Sequence, residues 1–386
     1  MTLKDITTKI TKGTTPTSIG CKFEKSGINF IKSESLVDGK TIDKSKFAFI
    51  SERTHERLKR SQIEKNDILF SMAGMFLGKT GIATAEVVPA NTNQAVAIIR
   101  VDDTKANYEY VYYYLNQKSV IHTINTTSAQ SAQPNINLKQ IGEIKINLPD
   151  RKKQDQIVSL LSAIDLKISN NVEINDNLEQ QAAALFSSLY NRSNTEVRYT
   201  DLIQILGGGT PKTGETAYWN GNIAFFTPKD VGAPYTFITE KTITEEGLSH
   251  CNSRLYPVNT VFVTARGTVG KVGLSGVPMA MNQSCYALVG KETHQLLVYF
   301  YTLKAVDRLK HKASGAVFDA ITTRDFDSEQ IMKLSDDDAK AFLCVAEPMF
   351  QEILNNSIEN LRLSTLRDFL LPKLMSGEID VSSVQI

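Results

Sequence analysis

Apolar residues recur at alternating spacings of four and three along two stretches of this chain. The first stretch runs Ile157, Leu161, Ile164, Ile168, Asn171, Asn175, Leu178, Ala182, Leu185, Leu189. The second runs Phe342, Ala346, Met349, Ile353, Asn356, Asn360, Leu363, Arg367, Leu370, Leu374. That spacing is the a/d seam of a coiled coil, and an asparagine pair interrupts each seam at its midpoint. The first stripe predicts a helix about 50 Å long at 1.5 Å per residue. In the second, Pro348 stands where the first has Ala163. A proline inside a helix removes one ladder bond and clashes with the preceding turn. A kink or restart is therefore expected near Glu347, with Phe342 and Ala346 packed on the globular part and Pro372 and Gly377 ending the helix.

Ahead of each stripe the pattern shortens. Asp67-Ile68-Leu69-Phe70 and Ala95-Val96-Ala97-Ile98-Ile99 read as strands bounded by turn residues, and segments near 107–121 and 294–312 read as helices. These parts also recur, at an offset of about 190 residues, which marks two whole domains rather than a solenoid. Gly13-Thr14-Thr15-Pro16 returns as Gly208-Gly209-Thr210-Pro211, and Ile28-Asn29-Phe30-Ile31-Lys32 as Ile223-Ala224-Phe225-Phe226-Thr227. Gly78-Lys79-Thr80-Gly81 returns as Gly270-Lys271-Val272-Gly273, Asn93-Gln94 as Asn282-Gln283, and Val111-Tyr112-Tyr113-Tyr114 as Val298-Tyr299-Phe300-Tyr301.

The expected architecture is α+β with pseudo-two-fold character. Two similar globular domains, residues 1–149 and 192–335, alternate with two long helices, 150–191 and 336–386, that pair antiparallel as a coiled coil. Antiparallel pairing brings Asn171 to Asn360 and Asn175 to Asn356. Seam asparagines cost stability but fix register, because a slipped pair strands amide groups among apolar side chains.

Composition adds bounds rather than a function. The 386 residues carry a net charge of +1, so no overall basic signal announces nucleic acid. Residues 1–150 nevertheless hold 20 Lys and Arg against 15 Asp and Glu, and residues 336–386 hold 4 against 9. A mildly positive globular part permits a phosphate-facing surface. No apolar run approaches the roughly 18 residues that span a bilayer, so no membrane partner is expected. The opening Met1-Thr2-Leu3-Lys4-Asp5-Ile6 has no apolar segment of a secretory signal. Cys21, Cys251, Cys285 and Cys344 are scattered, which suits reduced thiols and a cytoplasmic setting.

Candidate chemistry is sparse. Ala73-Gly74-Met75-Phe76-Leu77-Gly78-Lys79-Thr80 fits a loose Walker A pattern, which would make the chain a P-loop-like nucleotide-binding enzyme using Lys79. A P-loop needs a helix after it to cradle phosphate, and Gly81-Ile82-Ala83-Thr84 is a poor one. The alternative is a glycine-permitted turn between two strands. The five histidines form no i,i+4 pair, and no G-x-S-x-G is present. Asp336-Asp337-Asp338 reads as carboxylates near the free amides of a helix start rather than as a metal cluster. Asn93-Gln94 and Asn282-Gln283 could read adenine edges. Their recurrence favours a structural role instead, because two readers of different sequences should differ where they read. A protein-only coiled-coil scaffold is the third reading.

Two variable globular domains, each followed by a similar long helix, each with G-K and N-Q motifs in the same order, resemble the DNA-specificity (S) subunit of type I restriction–modification systems. The resemblance covers essentially the whole chain, including Leu148-Pro149 with Gln154 before Ile157 and the closing Leu370-Leu371-Pro372-Lys373-Leu374-Met375-Ser376-Gly377-Glu378. It departs at Leu334-Ser335, where the family often has Leu-Pro, and at Pro348.

The resemblance implies a non-catalytic recognition subunit. Its globular parts would be target recognition domains, each reading one half of a bipartite double-stranded DNA target. Its paired helices would set the gap, at most roughly 14 base pairs for a 50 Å arm. They would also dock two methyltransferase (M) subunits, with restriction/motor (R) subunits joining the complex. No cofactor is expected on this chain; S-adenosylmethionine, ATP and Mg would belong to partner subunits.

Candidates for DNA contact are residues that differ between the copies. Lys32, Ser33 and Glu34 stand against Thr227, Lys229 and Asp230, and Ser71 and Met75 against Val263 and Gly267. Ser131, Gln133 and Asn135 stand against Ala316, Phe318 and Asp319 or Ala320. Arg266 is added because an arginine can fork onto guanine. Lys79 and Lys271 recur, which suits phosphate contact better.

Overall fold

The computed structural model describes residues 1–37, 39–128, 135–232, 234–312 and 320–381. Two compact units emerge: Met1–Lys167 with Arg362–Ile386, and Ile168–Leu361. The boundary falls inside both long helices, so each helix lends one part to either unit.

The globular part of the first unit is built on two sheets. One orders Thr7–Lys12, Val96–Val101, Ile68–Ser71 and Thr80–Ile82, all antiparallel. The other orders Ala48–Ile50, Ile28–Ile31, Ala90–Thr92 and Gln62–Ile63, with a parallel pairing between Ile28–Ile31 and Ala90–Thr92. The unbroken apolar run 96–99 follows from cover on both faces. Ala97 and Ile99 pack with Ile68, Phe70 and Tyr110 in one core, while Val96 and Ile98 pack with Leu69 and Ile31 in a second. The segment expected to be helical near 107–121 is two helices, Tyr108–Leu115 and Lys118–Ser128.

The second unit repeats this frame. Its larger sheet orders Ile203–Gly207, Cys285–Gly290, Val261–Thr264, Val272–Ser275 and Tyr235–Thr236. Its smaller sheet orders Lys241–Ile243, Trp219–Phe226 and Met279–Met281, again with one parallel pairing. Val261 and Val263 face the helix-side core and Phe262 the other, the same division of faces as in the first unit.

The central helix runs Arg151–Arg192 and the C-terminal helix Asp336–Ser376. In the first unit Ile157, Val158 and Leu161 share a core with Leu371, Leu374 and Met375. In the second Ala182, Phe186 and Leu189 share one with Phe342, Ala346, Phe350 and Ile353. Rising numbers on one helix thus meet falling numbers on the other, which makes the pair antiparallel. The C-terminal helix does not restart at Pro348, and Pro372 does not end it. Both prolines are exposed, so the carbonyl that loses its bond faces solvent, while buried neighbours on the opposite face keep the backbone helical. Gly377, at φ 81°, caps the helix.

The seam asparagines lie where the antiparallel register puts them. Asn171 Nδ2 donates to Asn360 Oδ1 at 2.9 Å and to Glu359 Oε2 at 2.7 Å. Asn356 Nδ2 donates to Asn175 Oδ1 at 3.0 Å. Asn171, Asn175 and Asn356 are buried. No helix among the described residues is long and apolar enough to cross a membrane.

Candidate nucleic-acid interface

The motifs that recur between copies hold each domain together. Gly13 packs so closely on Ala90–Thr92 that a Cβ there would lie 1.8 Å from the Thr92 carbonyl oxygen; at Gly208 it would lie 2.2 Å from that of Asn282. The next backbone amide clasps the same strand in both copies: Thr14 N donates to Thr92 O at 3.1 Å, Gly209 N to Met281 O at 3.2 Å. Thr15 then donates to Gln94 Oε1, and Thr210 to Gln283 Oε1. Asn93 and Asn282 each accept the amide two residues on, from Ala95 and Ser284, both at 3.0 Å. The repeated Asn-Gln pairs therefore have internal partners in both domains.

The Walker-like segment is a hairpin end. Phe70 pairs with Thr80 across antiparallel strands, and Gly74–Phe76 is a single 3-10 turn between them. No helix follows Lys79, so there is no amide cradle for phosphate, and the nucleotide-binding reading falls. In the second domain Val263 pairs with Val272 around the equivalent turn.

Around each hairpin the variable segments converge. In the second domain Thr268 Oγ1 donates to Pro228 O at 3.0 Å, joining the hairpin to the turn 227–230. Ala265 N and Arg266 N donate to Ser284 O at 2.8 and 3.3 Å, and Arg266 bridges Ala320. In the first domain Met72 N donates to Ala95 O at 2.8 Å, and Ala73 bridges Asn135. Thr92 Oγ1 donates to Ile31 O at 2.7 Å, tying in the turn that carries Lys32, Ser33 and Glu34. Each domain thus presents one loop cluster, assembled from chain segments far apart in sequence.

Not every candidate belongs on that surface. Ser71 is fully buried in its strand, so it cannot meet a base. Thr227 and Asp230 are spent on their own turn: Thr227 N and Oγ1 donate to Asp230 Oδ2 at 2.8 and 2.6 Å, and Glu240 N donates to Oδ1 at 2.7 Å. The short polar residues that differ between copies here stabilise different turns. Lys32 is half-buried, 3.6 Å from Glu34 and over the Phe23 ring. Lys229 is exposed and pairs with Glu240 at 3.4 Å. Met75 is 88% exposed, Lys79 is half-buried, and Asn135, Arg266 and Lys271 are exposed. Ser131, Gln133 and Asp319 lie outside the described residues.

Arg57 and Arg60 were missed by the comparison of copies. Arg60 Nη2 donates to Thr14 Oγ1 at 3.0 Å and Arg57 Nη2 to Ile19 O at 3.1 Å, which puts one guanidinium beside Thr14 and a second beside Ile19. The basic run Arg57-Leu58-Lys59-Arg60 is the sequence signal for them. Among the described residues no group of three or more His, Cys, Asp or Glu side chains could hold a metal ion.

Two copies of one frame, each with an exposed variable loop cluster and each fused to half of a helix pair, define a duplicated recognition protein. The family model for the type I restriction modification DNA specificity domain matches residues 1–180 and 191–333. The chain therefore belongs to the type I restriction–modification DNA-specificity family, and its function is that of the specificity subunit. The specificity subunit of the type I restriction enzyme HindI from Haemophilus influenzae is 22% identical, covering 83% of this chain and 88% of that one. That of EcoR124I/EcoR124II from Escherichia coli is 27% identical over 55% of this chain and 54% of its own length. A solved S subunit of a type I system from M. genitalium shares the fold, with a TM-score of 0.58 at 15% identity over 97% of this chain and 95% of that one.

Proposed function

We propose that each globular domain reads one half of a bipartite double-stranded DNA target and that the paired helices set the unread gap. In this reading the helices also dock two methyltransferase subunits, around which restriction subunits assemble. The chain itself carries out recognition without catalysis, and S-adenosylmethionine, ATP and Mg act on the partner subunits. The observation that carries the reading is the pairing of a repeated frame with unrepeated loops: the residues that hold the frame recur, whereas the exposed residues beside them differ. Base contacts specify and phosphate contacts position. Arg57, Arg60 and Lys271 suit the second task, and the loop clusters around the hairpins suit the first.

The test is methylation mapping in cells that carry this chain with a matching methyltransferase subunit. A motif of two unequal short sequences separated by a constant gap is the expected result. A continuous motif, or methylation independent of this chain, overturns the reading and leaves a protein scaffold in its place.

A further inference from the structure

The bond pattern at the hairpins aligns the two domains residue by residue, and more exactly than the sequence does. Ile136 N donates to Met72 O at 2.9 Å, and Ile321 N donates to Ala265 O at 2.9 Å. Met72 N reaches Ala95 O at 2.8 Å, and Ala265 N reaches Ser284 O at the same distance. Gly74 and Gly267 follow with φ of 70° and 80°, and Gly78 and Gly270 close the turns at 84° and 76°. Ala73 therefore corresponds to Arg266, and Asn135 to Ala320. Met75 then corresponds to Thr268 rather than to Gly267.

In both domains these residues form one cross-strand bridge, Ala73 with Asn135 and Arg266 with Ala320. Each bridge holds one alanine and one polar side chain, but the polar member comes from opposite sides of the bridge. The alanine leaves its partner room beside the hairpin neck. Asn135 and Arg266 are both exposed, and among the described residues neither side chain has an ion-pair or hydrogen-bond partner.

The two groups have complementary chemistry. An asparagine amide offers one acceptor and a donor pair, which matches the N6 donor and N7 acceptor on the major-groove edge of adenine. A guanidinium offers only donors, in a planar fork that matches O6 and N7 of guanine. Resting on the bipartite reading above, we infer that this bridge is a base-selecting position in each domain. Asn135 selects adenine in the half-site read by the first domain. Arg266 selects guanine in the half-site read by the second. The purine preference is thus set by which polar group, amide or guanidinium, the shared bridge carries.

The experiment selects binding sites from random-sequence duplexes with the full chain assembled with its methyltransferase partner. Wild type, Asn135→Ala, Arg266→Ala and the double variant Ala73→Arg with Asn135→Ala are compared. Asn135→Ala should lose adenine preference at one position of one half-site, and Arg266→Ala guanine preference at one position of the other. Each loss should be about 5- to 150-fold in discrimination, with every other position unchanged. The double variant should turn adenine preference into guanine preference. The unaltered half-site reports that each variant is folded and assembled. Retention of base preference by either alanine variant overturns the inference, as does weakening that is uniform across all sequences, the mark of a phosphate contact. Absence of any bipartite motif for wild type would instead sink the functional reading on which the inference rests.

Discussion

Glu179, half-buried on the central helix, accepts a hydrogen bond from the Tyr299 hydroxyl at 3.0 Å. Burial raises its carboxyl above the usual 4.5, partly offset by that bond, and nearby Asp176 raises it slightly further. A carboxyl whose folded pKa lies above its unfolded value destabilises the fold when ionised, and the penalty disappears as pH falls through the folded value towards 4.5. Glu179→Gln keeps an acceptor for Tyr299 and removes the charge. The variant should melt above wild type at pH 7, and the difference should vanish near pH 4.5. An advantage that persists unchanged at that pH would point to packing instead. At this scale the sequence was only partly legible. Gly13 and Gly208 stood out by recurrence, yet that a Cβ at either would meet a carbonyl depends on a strand more than 70 residues away. Ser71 and Asp230 looked like reading residues because they differ between copies, but one is buried in a strand and the other is consumed by its own turn.

The helix pair carries its register in four asparagines, and its two halves are built differently. In the first unit Arg367 pairs with Asp165 at 3.0 Å, and Asp165 also accepts from the Tyr113 hydroxyl at 2.5 Å. The corresponding residues of the second unit are Ala182 and Phe350, and there the core is aromatic: Phe186 stacks on Phe300 at 5.1 Å and meets Phe342 edge-on at 5.5 Å. Asn356→Ala removes a donor and leaves the Asn175 carbonyl without that partner inside the seam. It should cost about 1–3 kcal/mol, read as a lower midpoint in urea. Replacing both Asn175 and Asn356 by leucine should recover most or all of that loss, since two matched apolar residues leave no amide stranded. A double variant as unstable as the single one would show that the pair does more than satisfy itself. The heptad spacing made these helices legible, because position along a helix dictates which face is buried. Parallel arms would match the asparagines too, and the antiparallel direction follows instead from the short connections and the internal two-fold. Pro348 misled because its exposure depends on which face the neighbouring core occupies.

For the whole molecule the decisive property is duplication without identity. Each unit closes its own core, the first around Tyr110 and Ile157 and the second around Phe186 and Phe342, so each globular part can vary without disturbing the other. Exchange of residues 1–149 for the corresponding part of a relative with a different target should therefore change one half-site of the methylated motif and leave the other intact. The readout is the same mapping in cells. A change in both half-sites would mean that the domains do not read independently.

The sequence by itself determined the duplication, the two heptad seams, their asparagine register and the strands that carry unbroken apolar runs. All of these follow from local spacing, which decides what an element buries. Only the tertiary structure decided which loop residues share a surface and which are internal. The bridge between Ala73 and Asn135 joins residues some 60 positions apart, and loops have no periodicity from which such a pairing could be read. The hairpins, the Asn-Gln turns and the clasped glycines look alike in both copies. Their difference in chemistry became visible only when hydrogen bonds aligned Ala73 with Arg266 and Asn135 with Ala320.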